Sequence, residues 1–188
     1  HVERTFRDTW GERTNEASAW PGPAWAPAVT WLRWLPWLPA MRHLARGQPA
    51  LPWMRDDPVP GAGSLSERPG HGRDPAPGSL RPLIVAEQTE DAWLAQWHRL
   101  LPESGPWVAA LVDAVMAHRR HMASPDGEGA VLRQQLSDRM TRLFRRFAGG
   151  PGAFFAWLAI EGLDAERLRY GILSRSLVPR STEALAWA

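Results

Sequence analysis

Residues 89–150 read TEDAWLAQWHRLLPESGPWVAALVDAVMAHRRHMASPDGEGAVLRQQLSDRMTRLFRRFAGG, and this stretch decides the fold. Its apolar residues recur at three- and four-residue spacing, the period of an amphipathic helix. Punctuation divides it into three. Thr89 is an N-cap residue type, Glu90 and Asp91 suit a first turn, and Pro102 stops the segment. The first helix therefore spans 90–101, with Trp93, Leu94, Trp97, Leu100 and Leu101 on its apolar face. Pro106 opens a second helix running to Met122, with Trp107, Val108, Leu111, Val112, Val115 and Met116 inward. Ser124-Pro125-Asp126-Gly127 has the residue order of a tight turn. A third helix covers 130–147, with Leu132, Leu136, Met140, Leu143, Phe144 and Phe147 in one stripe, and Gly149-Gly150-Pro151 ends it.

Outward from this stretch, Ala153–Glu161 reads as a fourth helix closed by Gly162, and Asp164 caps a fifth bearing Leu168, Ile172 and Leu173. The expected fold is mainly α: a bundle of about five helices over residues 89–175. Leu83-Ile84-Val85 is the one candidate strand, and it has no partner elsewhere in the sequence.

The N-terminal part is of a different kind. Of the 18 prolines, 13 lie between Pro21 and Pro82. Residues 1–16 suit a short helix, with Val2, Phe6 and Trp10 four apart and Gly11 as a stop. Pro21, Pro23 and Pro27 exclude a regular helix over 17–28, because each removes a donor and clashes with the preceding turn. Pro39 suits the first turn of a short helix that Gly47 would cap. The division expected is a Trp/Pro-rich, largely irregular arm with short helices over 1–55, a Pro/Gly/Ser-rich linker over 56–81, and a helical domain over 82–188.

Composition bounds the function. A chain of 188 residues can bury roughly 70% of its unfolded surface, so it needs no disulfide or metal staple. There is no cysteine, which excludes a thiol nucleophile and thiolate metal sites. All 22 basic residues are arginine, planar forks that stack on aromatics and grip carboxylates or phosphates at two points. The formal net charge is only +2, small for a protein that binds nucleic acid through bulk charge. No run of apolar residues is long enough to be a membrane-spanning helix.

Catalytic signatures are missing. Gly61-Ala62-Gly63-Ser64 lacks the lysine and the strand-to-helix setting of a phosphate loop, and no nucleophile elbow occurs. His118 and His121 have a spacing that could serve one metal, with Asp113 or Glu128 completing the set. His118, however, falls on the apolar line of the second helix, and the pair lacks the glutamate of a hydrolytic zinc motif. The expectation is a protein without enzymatic activity, metal or cofactor.

Two features remain. Trp20, Trp25, Trp31, Trp34, Trp37 and Trp53 crowd the proline-broken arm, which cannot bury them by itself. They are candidate partner-binding residues, because Trp and Arg dominate interface hot spots. Arg133, Arg139, Arg142, Arg145 and Arg146 cover the polar side of the third helix against a single acid, Asp138, and form a candidate surface for phosphate or an acidic partner. The leading expectation is a structural subunit of a larger assembly, homo- or hetero-oligomeric, docking through its arm. The alternatives are a nucleic-acid-associated protein using the arginine face, and a factor bound or anchored at a membrane surface.

Overall fold

The computed structural model describes residues 2–59, 80, 83, 88–122 and 129–177, and among these the regular structure is helical, without strands. The chain forms two compact units, one from Arg7–Glu103 and the other from His1–Phe6 with Ser104–Ala188.

In the first unit, the part of α1 (Val2–Ala17) from Arg7 onward buries Arg7, Trp10, Thr14 and Ala17, a three-then-four stripe. It runs straight through Gly11, the expected stop. A glycine inside a helix costs about 1 kcal/mol. That is less than the burial of Trp10 returns, and the Trp10 indole also donates to the Leu32 carbonyl at 2.8 Å. Prolines then set short elements. Pro27 lies in the first turn of α2 (Ala26–Trp31), and Pro39 in that of α3 (Leu38–Ala45). Between them Leu32–Trp37 winds as a 3-10 helix that contains Pro36. Gly47 leaves α3 with φ of 70°, a conformation that glycine enters without strain. A single turn, α4 (Trp53–Asp56), follows.

Helix α5 (Thr89–Leu100) belongs to this same unit, packed against α2 and α3. The sequence grouped it with the later helices. Tertiary contacts tie it to the arm instead: the Trp31 indole donates to the Trp93 carbonyl at 3.2 Å, and Arg42 pairs with Glu90 at 2.8 Å. Thr89 is not an N-cap. It is the first helical residue, fully buried, and its hydroxyl has no partner among the described residues.

The second unit is built on α6 (Pro106–Met122), α7 (Gly129–Arg146) and α8 (Pro151–Leu177). Its core comprises Ala114, Met140, Leu143 and Ala156, flanked by Leu111, Leu136, Phe147, Ile160 and Leu163. Helices α6 and α8 meet closely where Gly152 lies under Trp107; a Cβ on Gly152 would stand 2.6 Å from the Trp107 Cβ. The Trp107 ring stacks on Phe155 with centroids 5.3 Å apart. Gly149, at φ of 81°, turns the chain out of α7, and Pro151 starts α8.

Sequence expectations change here. The fourth and fifth helices are one, because α8 continues through Gly162. Its packing along α7 holds both halves against a local glycine penalty of about 1 kcal/mol. Val115 and Phe144, expected inward, are exposed, and the small Ala114 takes the core position on α6. Leu168 and Ile172, apolar residues assigned to the fifth helix, are exposed. The candidate strand at 83–85 and the turn at 124–127 fall mostly or wholly outside the described residues, as does the linker beyond Val59 save Leu80. The first residues of that linker are built into the fold: Asp57 pairs with Arg7, and Val59 is buried.

Candidate interaction surfaces

The arm tryptophans separate by position. Trp31 and Trp37 are interior. Trp25 and Trp34 are half-buried, and the Arg33 guanidinium lies 4.9 Å from the Trp34 ring centroid. Trp20 and Trp53 reach the surface, 56% and 38% exposed. Only part of the proposed tryptophan set is thus available to a partner. Trp31 and Trp37 are consumed by the unit's own core, through α5 and α1.

The centre of this arrangement is Arg7, which composition and spacing did not single out. Its side chain is buried and ion-paired with Asp57. Its guanidinium carbon sits 4.5 Å from the Trp37 ring centroid and 4.9 Å from that of Trp53. A cation between two indoles is stabilised by both ring faces, and the carboxylate offsets its charge. Arg7 thereby ties α1 to the 3-10 turn, to α4 and to the start of the linker. Trp53 is held in place from beneath while part of its surface stays open. A sequence signal existed for its burial alone: Arg7 stands three residues before Trp10 on the stripe that continues to Thr14 and Ala17.

A second buried feature lines α5. Trp93 and Trp97 stack with centroids 6.4 Å apart and planes 8° apart. The Trp93 indole N–H is buried with no hydrogen-bond partner among the described residues.

In the second unit the arginines of α7 do not form one uniform face. Arg133 lies 5.3 Å over the Tyr170 ring and Arg146 5.3 Å from that of Phe147. Arg139 is half-buried. Arg142, Arg145 and Arg146 are exposed, and none of them makes an ion pair among the described residues. The exposed positive charge on α7 therefore lies toward its C-terminal end, where Arg145 and Arg146 in the last turn also complement the helix dipole.

The two histidines part as well. His121 is exposed, whereas His118 is half-buried. Burial pushes its pKa below the ordinary 6.5, with Arg133 and His121 adding to that; a backbone hydrogen bond at Leu132 and the charge of Glu166 oppose it. Asp113 is exposed, Glu128 lies outside the described residues, and no group of three His, Asp or Glu side chains able to hold a metal occurs among the described residues. No described helix is long and apolar enough to cross a membrane.

Comparison with protein-family models, with curated proteins and with solved structures gave no match for this chain.

Proposed function

We propose that the protein is a non-enzymatic interaction subunit that docks a protein partner through the surface indoles of its arm. The observation that carries this reading is Trp53. Its ring is braced on a buried guanidinium, yet 38% of the residue is open to solvent. A large aromatic already fixed in place loses little freedom when a partner covers it, and this is what makes a tryptophan an interface anchor. Trp20 supplies a second exposed indole, with the Arg13 guanidinium 5.8 Å from its ring.

The test is the native mass of the full chain and of Trp20→Ala/Trp53→Ala, each isolated from its source at low and at high salt. A protein subunit present in fixed stoichiometry with the wild type, and bound at least about tenfold more weakly by the double variant, supports the reading. A partner held equally well by both chains sinks it.

The exposed arginines at the end of α7 favour a second reading, association with nucleic acid. Bound nucleic acid that is lost on replacing Arg142, Arg145 and Arg146 with Gln, with a salt dependence that becomes shallower, would put this reading first.

A further inference from the structure

The C-terminal half of α8 carries an apolar face that the fold leaves open. Leu168 is 70% exposed and Ile172 53% exposed. Four residues apart, they stand one above the other on the same side of the helix. Asp164 and Arg175, both exposed, extend this side at its two ends; the Asp164 carboxylate also accepts an exposed bond from Arg167 of its own helix at 3.3 Å, which leaves its second oxygen for another cation. At 3.6 residues per turn the four positions share an arc of about 80°. Other sides of the helix are engaged. Arg169 donates to Glu3 at 2.7 Å and lies over Phe6, Tyr170 meets Arg133, and Arg167 bonds Gln134. Gly171 borders the open side. A Cβ there would meet nothing within 4 Å, so packing inside the chain does not call for glycine. Glycine weakens a helix interior, and on an open face its one geometric effect is to let another backbone come close.

We propose that this face joins two copies of the chain, their α8 helices pairing antiparallel about a twofold axis near residue 170. Charge selects the occupant and its direction. In the antiparallel arrangement Leu168 lies opposite Ile172 of the partner subunit. Asp164 then falls within one residue, about 1.5 Å of rise, of Arg175 of the partner subunit, and the symmetry makes that pair twice. A parallel arrangement sets aspartate against aspartate and arginine against arginine. The face is thus complementary to itself in one direction only. Gly171 of each copy lies near the crossing, where close approach is needed. From 164 to 175 the face is about 17 Å long, well short of a standard interface, so the dimer is weak and depends on concentration. Its exposed ion pairs weaken further as salt screens them.

The inference does not use the arm, and sedimentation equilibrium of the full chain over about a hundredfold range of concentration at low salt separates the two proposals. The wild type and Trp20→Ala/Trp53→Ala are expected to pass from monomer to dimer together. Leu168→Glu and Ile172→Glu, both at exposed positions, are expected to raise the half-dimer concentration at least about tenfold, with unchanged far-ultraviolet circular dichroism. Asp164→Arg alone and Arg175→Asp alone each weaken the dimer, and the two together restore it, since the exchanged pair still meets in the antiparallel register. The proposal is overturned by a wild type that stays monomeric throughout. It is equally overturned by a dimer indifferent to both glutamate variants, or by a double exchange that fails to recover what the single exchanges lose.

Discussion

At the scale of single residues, Arg7 and His118 make opposite use of burial. Arg7 exchanges water for Asp57 and two indole faces, while its Nε is buried without a hydrogen-bond partner among the described residues. Arg7→Ala leaves Asp57 without its partner and Trp37 and Trp53 without the group between them. It is expected to cost about 2–4 kcal/mol in urea unfolding. Arg7→Lys is expected to recover only part of this, because an ammonium keeps the charge but not the planar stack. His118 instead favours its neutral form. Its pKa is lowered on folding, so the unfolded chain takes up the proton first. The stability that follows from this is complete above the unfolded value near 6.5 and is lost as the pH falls through the lower folded value. The melting temperature of the wild type should therefore drop more steeply below about pH 6.5 than that of His118→Gln, and the difference between the two profiles isolates this group. The line of Leu111 and Val115 pointed to a buried His118, but the histidine is half-buried and Val115 on that line is exposed. The role of Arg7 was not legible, because its partners are 30, 46 and 50 positions away in the sequence.

At the scale of elements, proline and glycine set some boundaries and leave others to packing. Pro106 and Met122 bound α6 as the sequence indicates, and Gly149 with Pro151 separates α7 from α8. Gly11 and Gly162 are punctuation in the sequence and helix interior in the structure. The reason is magnitude: a glycine costs a helix about 1 kcal/mol, and burying one large apolar side chain returns about 1.5–3 kcal/mol. Two further glycines on α8 make this testable with opposite signs. Gly152→Ala forces a methyl against Trp107 and Phe147, which are both packed, and is expected to destabilise the fold by about 1–3 kcal/mol. Gly171→Ala adds its methyl in open space and is expected to stabilise the monomer by about 0.5–1 kcal/mol. Thermal unfolding of both variants in dilute solution reads the two signs directly.

At the scale of the whole molecule, charge and core are separable in the second unit. Met140, Leu143, Ala114 and Ala156 supply its packing, while Arg139, Arg142 and Arg146 lie outside that cluster. Replacing these three arginines with Gln is expected to leave the melting temperature nearly unchanged, each contributing within about 0.5 kcal/mol. A triple variant that unfolds would show that the contact of Arg146 with Phe147, or the half-buried side chain of Arg139, holds the end of α7 in place. The arm is the contrary case. Its arginines and tryptophans interlock, so changing them disturbs folding and recognition together: Trp53→Ala also strips one of the two indole faces from buried Arg7, whereas Trp20 meets Arg13 at the surface.

Apart from the arm, expected to be largely irregular but wound in helical turns over 2–17, 26–45 and 53–56, the sequence by itself determined that the chain is mainly helical and where α6 and α7 lie. These follow from local rules: apolar period, missing donors at proline, and positive φ at glycine. Only the tertiary structure decided that α5 belongs with the arm, that α8 is unbroken, and which of the six arm tryptophans face water. Periodicity marks the apolar side of a helix without naming what covers it. Trp31 and Trp37 are covered by the fold around them, whereas Leu168 and Ile172, equally apolar and equally well spaced, are left bare. That difference lies in contacts between segments far apart in the chain, which no local spacing encodes.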